Sequence, residues 1–136
     1  MATTLSKEVI QRLAACKANK SENLNLSNCE LTSIPKEVNQ FPWLIKLDLT
    51  SNQITKIENL NKLPELKGLN LSDNQISEIQ NLDKISKLAE LSLSGNHITQ
   101  IQNLDKLPEL RELNLSDNRI SNIQQLDKLP LSLIHI

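Results

Sequence analysis

The sequence is short of aromatic residues: it has one Phe, Phe41, one Trp, Trp43, and no Tyr among 136 residues. Aromatic side chains usually supply much of the buried area of a globular core. A stack of identical aliphatic positions can do without them. Their scarcity beside abundant Leu and Ile therefore favours a repetitive aliphatic core.

An excess of positive charge is also missing. Fifteen Lys and Arg face sixteen Asp and Glu, so the net charge is −1. General nucleic-acid binding and docking to an anionic membrane surface both need a basic excess. No apolar run approaches a transmembrane length, and the N-terminal segment lacks the apolar stretch of a signal peptide. We therefore expect a cytoplasmic protein with neither nucleic-acid nor membrane partners.

Residues with reactive side chains are few. Cys16 and Cys29 show no paired or metal-like spacing, so we predict free, reduced thiols with Cys29 buried. His97 and His135 have no Cys, Ser or carboxylate partner at a recognisable spacing. The sequence therefore predicts no catalytic residue, no metal site and no cofactor, and a protein that is not an enzyme.

What the sequence does contain is a repeat. Asn52, Asn74, Asn96 and Asn118 recur every 22 residues, within LDLTSNQI, LNLSDNQI, LSLSGNHI and LNLSDNRI. An earlier copy, LNLSNCEL, carries Cys29 in the Asn position. Five copies in register predict a repeat architecture.

The chemistry of one repeat predicts its conformation. Alternation places Leu47 and Leu49 inward and Asp48 outward, as in a short strand. Four apolar residues then follow at a spacing of three, which suits a 3₁₀ or short helical return: Ile54, Ile57, Leu60 and Leu63. One repeat cannot bury this apolar face alone, whereas stacked repeats form a continuous core. We expect an α/β fold, a right-handed solenoid with about five short parallel strands on its concave face.

The Asn position has its own explanation. A buried amide can donate to and accept from the backbone groups left unpaired where the strand turns into the return. Stacked repeats would align these amides in a ladder, with Cys29 making a weaker version of the contact.

The ends of the repeat array differ from its middle. Residues 4–18 carry apolar side chains at helical spacing, which predicts an amphipathic helix covering the first strand: Leu5, Val9, Ile10, Leu13 and Ala14. We divide the chain into a capping helix (1–20), an array of about five repeats (21–130) and an irregular or truncated tail (131–136). The tail LSLIHI lacks a polar cap. We expect a monomer unless this open edge self-associates.

The pattern LxxLxLxxNxIxxIxxLxxLPx, over about residues 21–130, resembles the 22-residue leucine-rich-repeat class named for the regulatory subunit of protein phosphatase 1. It is also similar to axonemal and spliceosomal relatives and to bacterial internalins. The opening ENLNLSNCELTSIPKEV resembles the repeats that precede the GTPase domain of Roco-type proteins, although no GxxxxGK[ST] motif is present. The resemblance implies a protein-binding module, and none of its residues carries a family function that transfers here.

Outward-pointing strand residues make the concave face, the surface that such solenoids usually offer to partners. The predicted partner-binding residues are Lys46, Asp48, Thr50, Asn70, Ser72, Asp73, Glu90, Ser92, Ser94, Glu112, Asn114, Ser116 and Asp117. Because the charges among them are mostly acidic, we expect a protein partner with a basic or polar docking segment. The alternative is that these are generic solvated positions whose small side chains let the strands curve.

Trp43 occupies a position that Glu65, Lys87 and Glu109 fill in later repeats. It is either a binding anchor on the rim of the concave face or a packing residue against the N-terminal helix or the insertion at Pro35.

Two functions fit these observations. The first is a protein-interaction module that binds a partner through the concave face. The alternative is the sensor or scaffold part of a larger signalling protein or enzyme complex, such as a phosphatase regulatory subunit or a Roco-type GTPase.

Overall fold

A computed structural model describes residues 4–123 and 133–136. Its elements are one α-helix, one 3₁₀ helix and six three-residue strands. The α-helix is α1 (Lys7–Asn19), and the 3₁₀ helix is Lys36–Gln40. The strands are β1 (Asn23–Asn25), β2 (Lys46–Asp48), β3 (Gly68–Asn70), β4 (Glu90–Ser92), β5 (Glu112–Asn114) and β6 (Leu133–His135).

The six strands form one parallel sheet in chain order. Equivalent residues of successive repeats stand side by side, so that Leu47 pairs with Leu24 and with Leu69. This confirms the prediction of a parallel-strand solenoid with a helix near its N-terminus.

The core lies between the sheet and the returns. Leu47 and Leu49 are buried as the alternation predicted, and the return residues Ile54 and Ile57 are fully buried. Each such side chain contributes roughly 1.5–3 kcal/mol relative to exposure. The 3₁₀ helix occurs in the first return, whereas later returns make single turns, such as the one that Leu88 N–H closes on the Ile85 carbonyl at 3.0 Å.

The asparagine ladder is present. Asn74 donates through Nδ2 to the carbonyls of Leu49 and Leu71, each at 3.0 Å, and accepts at Oδ1 from Ile54 N–H at 3.0 Å. Asn52, Asn96 and Asn118 make the equivalent bonds. Each amide therefore links the backbone of its own repeat to that of the preceding one.

A second asparagine column, which the sequence analysis missed, lies in the returns. Asn59, Asn81 and Asn103 adopt φ values of 61°, 59° and 60°. Their Nδ2 groups donate to the preceding repeat, Asn81 to the Ile57 carbonyl at 2.7 Å and Asn103 to the Ile79 carbonyl at 2.8 Å. Asn tolerates this left-handed conformation better than most residues. The recurrence of this Asn in ENL, QNL and QNL every 22 residues is the sequence pattern that could have predicted the second column.

The helix α1 covers the first strand through part of the predicted apolar face. Ser6 caps its N-terminus by accepting from Val9 N–H at 3.2 Å. Val9, Leu13 and Cys16 are buried. The prediction that Ile10 and Ala14 face the core was wrong: Ile10 is 53% exposed and Ala14 is exposed. The i, i+4, i+7 series that ends at Cys16 forms the inner stripe instead.

Arg12 completes the hydrogen bonding of β1. In the array, Leu26 N–H donates to the Asp48 carbonyl and Asn28 N–H to the Thr50 carbonyl, at 2.8 and 3.0 Å. No strand precedes β1 within residues 4–22 to supply such donors. The Arg12 guanidinium supplies them instead, with Nη1 3.2 Å from the Asn25 carbonyl and 3.1 Å from the Ser27 carbonyl.

The segment 131–136, predicted to be an irregular or truncated tail, includes the strand β6 at Leu133–His135. The edge of β5 offers free backbone groups, and Leu115 N–H donates to the His135 carbonyl at 2.5 Å. Ile134 pairs with Leu113 across the sheet. Residues 124–132, which include the predicted boundary at 130, lie outside the described part of the chain.

Candidate interaction surface

A depression of about 580 Å³ crosses the sheet on the side opposite the core, and the residues that line it come from five successive repeats and β6. Two rows of outward residues form it. The central row is Asn25, Asp48, Asn70, Ser92, Asn114 and His135, and the flanking row is Asn23, Lys46, Gly68, Glu90 and Glu112. We call this surface the strand face.

Short hydrogen-bonded turns orient the central row. Asn70 Oδ1 accepts from Ser72 N–H at 3.0 Å, and Asn114 Oδ1 accepts from Ser116 N–H at 3.0 Å. Asp48 makes the same bond to Thr50 N–H at 2.9 Å. The side-chain oxygen thus satisfies the backbone just beyond each strand, as in an Asx turn.

The flanking row carries most of the charge. The Lys46 side chain lies over Gly68: a Cβ added to that glycine would stand 3.3 Å from Lys46 Cγ. Glu90 forms an exposed ion pair with Arg111 at 3.4 Å. Glu112 is exposed on β5. With Asp48 in the central row, the lining has three carboxylates against one Lys, so the strand face is mildly acidic.

The structure separates the predicted site residues into three groups. Seven of them line the depression: Lys46, Asp48, Asn70, Glu90, Ser92, Glu112 and Asn114. Four others are half-buried beside it and bond to their neighbours: Thr50, Ser72, Ser94 and Ser116. Asp73 and Asp117 belong to the third group, in the turns beyond the strands.

Backbone conformation explains the third group. Asp73 and Asp117 both have φ of 56°, and Gly95 at the equivalent position has φ of 69°. Asp is among the residues that tolerate the left-handed region. The Asp73 carboxylate also occupies the space where a Cβ on Gly95 would be. These two carboxylates therefore have a structural reason to be there that is independent of binding.

The predicted partner-binding residues do not include the whole lining of the depression. Asn23, Asn25, Gly68 and His135 also line it. His135 escaped notice because Ile134 stands 21 residues after Leu113, one short of the repeat period. The alternation of apolar residues in LSLIHI was the signal that could have placed it.

Trp43 makes packing contacts at the edge of the sheet. Its Nε1 donates to the Ser21 carbonyl at 3.0 Å, and its ring centroid lies 5.7 Å from that of Phe41. Lys20 Nζ lies 5.9 Å from the ring centroid. The indole thus ties the end of α1 to the start of β2. These contacts account for its half-buried position, while its role as a binding anchor stays a prediction.

The two thiols are free. Cys16 is buried, whereas Cys29 is only half-buried, so the prediction of a buried Cys29 was wrong. Its Sγ donates to the Ser27 carbonyl at 3.2 Å, only one of the bonds that a ladder asparagine makes. Burial raises the pKa of both thiols.

Within residues 4–123 and 133–136, no group of three or more His, Cys, Asp or Glu is arranged to hold a metal ion. In the same part of the chain, no helix has the length and apolar character needed to cross a bilayer.

The comparison with family models agrees with this architecture. The model described as "Leucine Rich repeats (2 copies)" matches residues 22–62, 42–84, 64–106 and 86–128. The chain therefore belongs to the leucine-rich repeat family. Resemblance to the phosphatase-subunit class in particular gains no support from this match. None of the curated proteins compared with the sequence matches it.

Solved structures show the same fold. Internalin C2 from Listeria monocytogenes is 30% identical with a TM-score of 0.76, over 89% of this chain and 55% of that one. The leucine-rich repeat domain of APL1B is 24% identical with a TM-score of 0.78, over 98% of this chain and 42% of that one. The LRIM1/APL1C complex is 26% identical with a TM-score of 0.71, over 82% and 21%. This chain therefore spans about a fifth to just over half of their length.

Proposed function

We propose that this protein is an interaction module whose strand face binds a basic segment of a partner protein. Leucine-rich repeat domains generally mediate protein–protein interactions, and the LRIM1/APL1C structure is a complex of such proteins. The observation that carries the proposal is the depression itself, which collects outward side chains from every strand on one surface.

The negative charge of this surface supports a positively charged partner segment. Glu90 and Glu112 are neighbours across β4 and β5, and Asp48 lies in the adjacent row. Lys46 opposes them within the depression, and Arg111 beside it pairs with Glu90 at 3.4 Å. Complementary charge raises association rates and selects partners more than it raises final affinity. A segment rich in Lys or Arg therefore fits this face.

A double charge reversal tests the proposal. Immobilised wild-type protein and the variant Glu90→Lys/Glu112→Lys would be compared for the proteins that they retain from cell extract, identified by mass spectrometry. Both side chains point away from the core, so the variant should fold with an unchanged circular dichroism spectrum. We expect it to lose partners that the wild type retains, and we expect wild-type binding to weaken as salt is raised.

The reversal Lys84→Glu/Lys106→Glu is the matched control, because both lysines are exposed in the returns, away from the strand face. It should retain the wild-type partners. Loss of those partners in this control, with normal retention by the strand-face variant, would show that binding uses the opposite side.

A further inference from the structure

Three asparagines of the central row stand on alternate strands: Asn25 on β1, Asn70 on β3 and Asn114 on β5. Each side-chain oxygen accepts from the backbone N–H two residues later, at 2.8, 3.0 and 3.0 Å. A backbone N–H can only donate, so these bonds fix which end of each amide is oxygen. The Nδ2 groups have no protein partner among the described residues, and all three amides line the depression.

The spacing of these amides matches one backbone conformation. Adjacent strands lie about 4.7–4.9 Å apart, so alternate strands lie about 9.4–9.8 Å apart. A polyproline II helix rises about 3.1 Å per residue with three residues per turn, which repeats every ~9.3 Å. Because the face is a depression, the ends of the side chains converge slightly. Their spacing is therefore closer to the polyproline II repeat than the spacing of the strands is.

Other conformations fit the row less well. An extended β-strand covers a similar distance in three residues, but its groups then point to opposite sides. An α-helix uses its own carbonyls internally. A polyproline II segment makes no internal hydrogen bonds, so its carbonyls are free to accept from an amide.

We propose that the strand face binds a basic polyproline II segment of the partner, with Asn25, Asn70 and Asn114 donating to carbonyls three residues apart. The inference rests on the proposed function and names the conformation of the segment. Glu90 and Glu112 lie beside Asn114, and Lys46 lies between Asn25 and Asn70 in register. The cationic residues of the segment therefore lie toward β5.

Synthetic peptides test the conformation. One probe is four repeats of Pro-Pro-Lys, long enough to span the three amides, which cover about 19 Å or about six residues. The second is four repeats of Gly-Ser-Lys, which carries the same charge on a flexible chain. We expect isothermal titration calorimetry to give at least about tenfold tighter binding of the proline peptide.

The variant Asn70→Asp/Asn114→Asp tests the amides. Asp keeps the oxygen that accepts from the backbone, as Asp48 already does at this position, so the fold should be preserved. The change removes two donors and adds two negative charges. We expect about tenfold weaker binding of the proline peptide despite the added charge. The variant Gln53→Glu/Gln75→Glu adds the same charge at exposed positions outside the depression and should bind as the wild type does.

The alternatives give different results. Equal binding of both peptides, with tighter binding by the Asp variant, would overturn the polyproline II inference while leaving recognition of a basic segment in place. Binding of neither peptide would also overturn it. The proposed function fails separately, if the Glu90→Lys/Glu112→Lys variant retains every wild-type partner.

Discussion

Arg12 allows a direct test of how the array begins. Interior strands receive two backbone donors from the preceding repeat, such as Leu49 N–H on the Asn70 carbonyl at 2.8 Å and Ser51 N–H on the Ser72 carbonyl at 3.0 Å. On β1 the Arg12 guanidinium takes both roles. Replacing Arg12 with Met keeps most of the aliphatic stem and removes both donors, so the loss of stability reports on those bonds.

The geometry sets the magnitude. A hydrogen bond with a charged donor contributes about 1.5–3 kcal/mol when it is well shielded. Arg12 is 33% exposed, and water can reach the Asn25 carbonyl, so partial replacement by water reduces the effect. Its ion pair with Glu8 adds about 0.3–0.5 kcal/mol. We expect Arg12→Met to lower the free energy of unfolding by about 1–2 kcal/mol.

Urea unfolding followed by Trp43 fluorescence is the suitable assay, because the indole contacts the end of α1. Following circular dichroism in parallel shows whether the capped end unfolds before the rest, since repeat arrays can lose cooperativity. Lys7→Met is the control: it removes a positive charge from the same helix at an exposed position. It should change stability by less than about 0.5 kcal/mol. If the two variants are equally stable, Arg12 does not cap the sheet.

The other predictions concern the ladder, the thiols and the indole. Asn96→Ala should lower the free energy of unfolding in urea by about 1–3 kcal/mol, because its backbone partners stay buried. Asn118→Ala should lower it less, because that amide is half-buried. Equal and small losses of stability in the two variants would contradict the ladder. Ellman's reagent should modify Cys29 before Cys16 in the native state, and both more slowly than after unfolding; a recovered disulfide would contradict this. Because burial raises the pKa of both thiols, the stability that their protonated forms contribute is present below the ordinary thiol pKa and is lost as pH rises through the folded-state pKa values. Trp43→Phe should cost about 0.5–1.5 kcal/mol through the lost bond to Ser21 and leave partner binding unchanged; weaker binding would instead favour the rim anchor.

The repeat was readable from the sequence because its determinants are local and periodic. Leu47, Leu49 and Asn52 each recur at a fixed spacing, and each has a single physical role. Inward placement and the ladder follow from alternation and from the need to pair buried backbone groups. The structure confirms both.

The ends were less predictable because their contacts are not repeated. Arg12 reaches backbone carbonyls 13 and 15 residues away, and no pattern in the sequence marks this half-buried arginine as a cap. Ile10 and Cys16 are both compatible with an apolar helical stripe, so only the docking angle of α1 decides between them. β6 was missed because its spacing departs from the repeat by one residue.

The sequence predicts which row of residues faces outward better than it predicts which individual residues belong to the candidate site. Alternation alone places Asp48, Asn70 and Asn114 on the outer side of the sheet. Continued past the strands, the alternation would place Asp73 and Asp117 on the inner side with Leu71 and Leu115; the left-handed turns at these two residues bring them to the surface instead. The distinction depends on where each strand ends, which varies by a residue or two in any reading of a sequence.

The residue types of the central row are not determined by the repeat alone. On β1, β2, β3 and β5 this row needs only a side-chain oxygen that accepts from the backbone two residues on, and Asp48 meets that need as well as Asn70 does. On β4, Ser92 pairs its hydroxyl with that of Ser72 at 2.6 Å. Packing therefore leaves the choice between amide, carboxylate and hydroxyl open at this row. Because the choice changes only what the strand face offers to a ligand, substitutions here can alter recognition without disturbing the array beneath.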